Sequence, residues 1–217
     1  MALRRNREQS DTQYMLMKQR IISFDVGIKN MSYCLVECLE KRKMKILSMQ
    51  TLSLKGKNIQ DYTNSLISQL RKIELGYLDT VLIEQQLNRN TQMKVLSHVL
   101  QTYFICERNV SVEDVCFFNP KNKFEGGTLE YVLLVKDIKQ SLNIHTHMSR
   151  TDIKKLSIGI TTNLLRNDDP VWLEYIENNP KKDDLCDAYL QAYAYNFDKI
   201  DTSITIDDDI MEIDSDI

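Results

Sequence analysis

The chain has 217 residues, of which 42% are hydrophobic and 27% charged, with only three prolines. That balance suits one folded domain with a full core, and no low-complexity block or repeat at a fixed period of about 20–50 residues interrupts it. No apolar run approaches the ~20 residues that a membrane span needs, and the first 20 residues lack the apolar centre of a signal peptide, so a soluble, non-secreted protein is expected.

The net charge of −3 is unevenly spread. Seven of the 31 acids fall in residues 200–217, which contain no base, so residues 1–199 carry a net +4. A mildly basic body with an acidic tail is compatible with nucleic-acid binding. The five cysteines are odd in number and scattered, and none forms a C-x-x-C pair. They read as small buried hydrophobes in a reducing compartment, without support for a zinc ribbon or a redox motif.

Residues 1–19 are polar, with Arg4, Arg5, Arg7 and Lys18 among acids, and read as a mobile arm. Glu8 and Asp11 within it argue against a transit peptide. An apolar hairpin follows over 21–37, and its first strand carries a carboxylate, Asp25, near its end. Burying a carboxylate there is costly unless a cation or hydrogen bonds compensate it. Gly27, two residues on, permits a tight turn or close approach of a ligand.

Lys45–Leu54 predicts a third antiparallel strand, completing a meander. Asn58 is a candidate N-cap, and Ile59, Tyr62, Leu66, Leu70 and Ile73 recur at helical spacing as far as Gly76. Thr80–Ile83 reads as a buried parallel strand ending in Glu84, and the carboxyl ends of such strands are where ligands gather.

A helix from about Thr91 to Arg108 has a broad apolar face (Met93, Leu96, Val99, Leu100, Tyr103, Phe104), serving the core or a subunit interface. Val112–Phe118 predicts another strand, and Leu129–Lys139 fits either strand or helix. His145 and His147 are spaced like metal ligands on a strand, but no acid or cysteine at matching spacing supports zinc. Asp152–Leu165 predicts a helix with Thr151 as a cap, and Pro170 opens another over Val171–Asn178. The last helix runs from about Asp183 to Phe197. In it Asp184 and Asp187, at i and i+3, share one face. Beyond Lys199 the acidic tail is expected to be disordered.

Four acids, Asp25, Glu84, Asp184 and Asp187, therefore come from the first strand, a later strand end and the opening of the last helix. Brought together they would repel one another and raise their pKa values unless cations sat among them. Two Mg²⁺ ions roughly 3.5–4 Å apart would answer this and make a phosphodiester-cleaving centre. Oxygen-only ligands favour Mg²⁺, with Mn²⁺ able to substitute, over zinc.

The stretches Ser23–Tyr33, Ile83-Glu84-Gln85-Gln86 and Lys181–Ala188 resemble the RuvC-like Holliday-junction resolvases of the RNase H-like (retroviral integrase) superfamily. Within these, the chain is most similar to the poxvirus branch, with fungal mitochondrial resolvases as relatives. The resemblance covers residues 20–198, leaving 1–19 as an arm and 199–217 as a tail. It implies an RNase H-like α/β fold: a mixed five-stranded sheet, with an antiparallel meander of the first three strands plus parallel strands, flanked by helices. It further implies a homodimeric, Mg²⁺-dependent endonuclease that nicks four-way and other branched DNA in pairs during viral recombination and concatemer processing, in the host cytoplasm.

The resemblance gives Asp25, Glu84, Asp184 and Asp187 as metal ligands, with Asp183 as an alternative to Asp184. It sets Lys29, Asn30 and Lys182 near the scissile phosphate, and the helix 91–108 at the dimer interface. Further DNA-contact candidates are Arg89, Lys94, Lys121, Lys123, Lys154, Lys155 and Lys181, each of which taken singly also reads as a solvated surface charge. No membrane and no organic cofactor are expected. The competing readings are another RNase H-fold nuclease acting on RNA–DNA hybrids or branched DNA, and a non-catalytic junction-binding dimer.

Overall fold

The structure, a computed structural model, describes residues 19–40, 43–87, 90–125, 128–144 and 148–201. The predicted N-terminal arm up to residue 18, Arg89, His145, His147 and the acidic tail beyond residue 201 lie outside the described residues.

Three strands, β1 (Gln19–Asp25), β2 (Asn30–Glu40) and β3 (Lys43–Ser53), form the expected antiparallel meander. Two short strands, β4 (Thr80–Glu84) and β5 (Val115–Phe118), add to it in parallel, giving the order β3-β2-β1-β4-β5. β1 is thus central and paired on both edges, which explains why Ile21, Ile22 and Phe24 are all fully buried.

Strand alternation gives the sheet two different faces. Ile22 and Phe24 of β1 and Val81 and Ile83 of β4 point into one core, covered by α1 (Ile59–Leu70) and α2 (Thr91–Cys106). Ile21 of β1 and Leu82 of β4 point into the other. That second face is covered by α3 (Asn122–Glu125), α4 (Leu129–Ser141), α5 (Arg150–Asp168), α6 (Pro170–Glu177) and α7 (Lys182–Asp201). α7 lies directly on β1 and β2, and its buried Ala188 and Ala192 allow that close approach.

Several elements differ in extent from the pattern in the sequence. The expected strand over Val112–Phe118 begins only at Val115, because Val112–Asp114 forms a single 3₁₀ turn. The segment 129–139 is helical: the Thr128 side chain caps it by accepting from the Tyr131 amide, and Tyr131 and Val135 bury one face at i, i+4 spacing. α5 starts earlier than expected, at a reciprocal capping box between Ser149 and Asp152 instead of at Thr151. α1 ends at Leu70, and Ile73 reaches the same core from the loop that follows. Among the described residues no helix is long and apolar enough to cross a membrane.

The turn that presents Asp25 depends on Gly27. A Cβ added there would lie 1.9 Å from the Asn30 carbonyl oxygen, a backbone atom that cannot swing aside. Gly27→Ala should therefore lower unfolding stability by about 1–3 kcal/mol, the usual range for overpacking. Thermal or urea denaturation checks this, and an unchanged midpoint would show that the turn can relax.

Candidate metal centre

The same alternation that builds the two cores sends Asp25 and Glu84 to the α7 face, in step with Ile21 on β1 and Leu82 on β4. Phe24 is level with Ile83 in the parallel pairing, so Asp25 and Glu84 are the next two residues along, at adjacent strand ends. Their carboxyl groups are within hydrogen-bonding reach of each other. Gln86, just past the strand, donates from Nε2 to Glu84 Oε2 at 2.7 Å and braces that carboxylate.

α7 supplies the rest. Asp184 and Asp187 lie on the helix face that also carries Gln191, and Gln191 accepts a buried hydrogen bond from Ser23 of β1 at 3.2 Å. The acids from both elements interact. Burial is the largest influence raising the Asp25 carboxyl well above its ordinary range; Glu84, Asp187 and Asp184 raise it further, and Lys123 opposes them. Burial also raises Glu84, against the Gln86 hydrogen bond and the charge of Lys123. Asp184 is raised by burial and by Asp183, against Lys154 and Lys181.

Asp183 differs from its neighbour. It is ion-paired with Lys154 of α5, and although burial works upward, that bond and charge hold its carboxyl below the ordinary range. Asp184 is among the charges that most raise Asp25, whereas Asp183 is engaged by Lys154.

Lys123 stands apart from the other basic candidates. Read singly it was a solvated charge, but its side chain is only 4% exposed, and Nζ donates to Asp187 Oδ1 at 2.6 Å. The cause is local: the one-turn α3 packs on α7, and the Tyr131 hydroxyl of α4 donates to the Lys123 carbonyl, pinning the turn. The pattern around Lys123 gave no sign of this. Among the rest, Lys29, Lys121, Lys155, Lys181 and Lys182 are exposed, Asn30 and Lys94 are half-buried, and Lys154 is held by Asp183. Gln86 and Ser23 fall within stretches that carry the resemblance but had no role assigned, and Gln191 had none either; a polar residue just after a strand-end acid is the signal for Gln86.

As the side chains stand, no group of three or more His, Cys, Asp or Glu residues encloses a metal ion among the described residues. Asp187 is engaged by Lys123 instead. The donor chemistry nevertheless fits a hard divalent cation. It is all oxygen, and one buried ammonium faces carboxylates from three elements, so negative charge remains in excess.

Comparison with known proteins follows this geometry. The sequence profile of the family described as "Poxvirus A22 protein" matches residues 19–130, just over half of the chain. The chain belongs to that family. An uncharacterized protein, L451, of Acanthamoeba polyphaga mimivirus is 29% identical over 182 residues, 75% of this chain. The chain spans only 42% of that relative's length. An uncharacterized protein, 170L, of Invertebrate iridescent virus 6 is 25% identical over 219 residues, covering 82% of this chain and 88% of the relative. Among solved structures, the fowlpox virus resolvase in complex with its substrate Holliday junction DNA superposes with a TM-score of 0.59 at 16% identity, over 84% of this chain and 99% of that one. At that identity the likeness shows the fold: the mixed five-stranded RNase H-like sheet flanked by helices.

The raised carboxyls set a pH dependence. A group whose pKa is higher in the folded than in the unfolded chain binds protons preferentially when folded, so its contribution is complete at acid pH and lost as pH rises through the folded value. Metal-free protein should therefore lose stability from the ordinary carboxylate range upward. Asp25→Asn should flatten that loss and melt at least about 2–4 °C above wild type near pH 7.5, the equivalent of ~1 kcal/mol in a domain of this size. Melts between pH 4 and 8 in chelator test it, and parallel curves for the two proteins would contradict it.

Proposed function

We propose that this member of the poxvirus A22 family is a Holliday-junction resolvase, a divalent-metal-dependent endonuclease that cuts four-way DNA with paired, symmetric nicks. The observation that carries this reading is the convergence of Asp25 and Glu84, at adjacent strand ends, with Asp184 and Asp187 of α7. Carboxylates that lift one another's pKa are primed to exchange protons for cations, since a bound cation offsets the repulsion that burial imposes.

In this reading Asp25, Glu84, Asp184 and Asp187 hold two Mg²⁺ ions, with Mn²⁺ as a substitute. When bound, such ions activate a water for attack on phosphorus and offset the charge on the phosphate and the leaving 3′ oxygen. The chain's own residues do the rest. Gln86 keeps the Glu84 carboxylate aimed. Lys123, buried beside Asp187, is assigned to the phosphate being cut. The exposed Lys29, Lys121, Lys155, Lys181 and Lys182 are assigned to flanking backbone phosphates, which makes binding steeply salt-dependent.

A four-way junction is two-fold symmetric, so a two-fold dimer would set one site on each of two opposed strands. α2 supports this assembly. Its outward side, with Ile67 of α1, borders an apolar groove of about 430 Å³ that includes Val95, His98, Val99 and Tyr103. Val95 is 45% exposed, and nearby Phe117 of β5 stacks edge-on against His98. Val95→Glu should shift the protein toward monomer in sedimentation and replace paired nicks by single ones. A variant that stays dimeric would move the interface elsewhere. In the same reading the activity serves viral DNA recombination and concatemer processing in the host cytoplasm; the two curated relatives are themselves viral proteins.

The deciding assay is cleavage of a synthetic four-way junction in Mg²⁺, with Asp25→Asn and Asp187→Asn alongside wild type. Symmetric nicks that vanish in chelator, and that fall by at least about 10³-fold in either variant while junction binding persists, are expected; the loss corresponds to ~4 kcal/mol of transition-state stabilisation. Binding without cleavage by wild type would favour an architectural protein. Preference for an RNA–DNA hybrid would favour a different RNase H-fold nuclease.

A further inference from the structure

We infer that the buried hydrogen bond between Ser23 and Gln191 is a spacer that sets Asp187 of α7 opposite Asp25 of β1, making both residues positioning residues for the metal centre. The inference rests on the metal-site reading above and goes beyond it, since neither side chain is a ligand.

Ser23 precedes Asp25 by two residues on a strand, so both project from the same face of β1. Gln191 follows Asp187 by four residues on a helix, so both lie along the same side of α7. Four helical residues advance about 6 Å along the axis, and two strand residues advance about 6.6 Å. The two intervals match. Fixing Gln191 over Ser23 therefore fixes Asp187 over Asp25, and a slip of α7 by one residue would break both pairings together.

Apolar packing alone does not define this register. Beside the Ser23–Gln191 pair α7 buries the small Ala188 and Ala192, and although Leu185, Tyr189 and Leu190 of α7 share the same core, apolar contacts of this kind are non-directional. A directional bond between two side chains with 0% exposure supplies the missing constraint. Gln191 Nε2, by contrast, has no partner among the described residues, so the amide is retained despite a buried donor left over. Such a cost fits a residue kept for alignment better than one kept for stability.

The test uses the full chain and three variants: Ser23→Ala, Gln191→Met and the double variant. Each single change leaves one buried polar partner unpaired and should lower the melting temperature. The double change leaves none, and should recover melting close to wild type. Mn²⁺ and Mg²⁺ binding is then measured without DNA, by calorimetric titration and by the metal-induced rise in melting temperature. A positioning role predicts that the double variant, though restored in stability, still binds metal about 10-fold more weakly, within the range typical for residues that orient ligands. Half-saturation of junction cleavage should shift to higher metal concentration by the same factor, with junction affinity unchanged.

Wild-type-like metal binding in the double variant would overturn the inference and leave the metal reading intact. Metal binding by neither wild type nor variants would overturn the metal reading, and this inference with it. Weakened binding in the single variants alone, tracking their lost stability, would also overturn it, because a merely structural bond behaves that way.

Discussion

Repulsion among buried carboxylates is the constraint around which one whole face of the sheet is arranged. Asp25, Glu84 and Asp184 all sit where burial disfavours their charge, and each feels other acids. A protein of ordinary stability does not assemble such a group without compensation. Part of that compensation is internal. Lys123 is driven into the cluster by a one-turn helix pinned through Tyr131, Gln86 braces Glu84, and Lys154 takes Asp183 out of the contest. One buried ammonium against several carboxylates leaves the balance negative, and in the proposed reading that surplus is what bound cations would offset.

The two faces of the sheet divide stability from chemistry. Toward α1 and α2 the strands present mainly large apolar side chains, among them Ile22, Phe24, Val81 and Ile83, with Phe24 in ring contact with Tyr33 and Phe104. On that side of β1 the only polar residue is Arg20 near the strand's start, ion-paired with Glu37 of β2 at 3.3 Å. Toward α7 the same strand reads Ile21, Ser23, Asp25, passing from apolar to polar to charged as it approaches the turn at Gly27. A central strand can carry such a gradient because its other face, and hydrogen bonds to neighbours on both edges, hold it regardless.

Much of this was legible because the periodicities were strong. The meander, β4 and the acid at each strand end follow from short apolar runs bounded by polar residues, and the shared face of Asp184 and Asp187 follows from spacing alone. Elements where local capping decided the outcome were harder. The segment 129–139 was ambiguous until Thr128 proved to cap it, and α5 began at Ser149 because Asp152 completes a reciprocal box with it. Lys123 was least legible. Its burial depends on the packing of α3 on α7 and on a hydroxyl contributed by α4, neither of which leaves a mark in the residues beside it. In the Asp183-Asp184 doublet the i, i+3 spacing to Asp187 favoured Asp184, but the partner that engages Asp183, Lys154, lies on a different helix and left no mark in the sequence.

The family match and the acids of α7 lie in different halves of the chain. The profile match runs over residues 19–130 and thus includes Asp25, Glu84 and Lys123, but not α7. Asp184 and Asp187 owe nothing to that match. They reach Asp25 because α7 packs across β1 and because a serine and a glutamine meet one turn below them. A chain that had kept the fold while losing the chemistry would have no reason to hold charged side chains there. Aligned apolar residues at 184 and 187 would cover the sheet better and remove the repulsion. The presence of both acids in the α7 stripe, where burial raises Asp184 and both raise Asp25, is a cost to the metal-free fold that the proposed chemistry would account for.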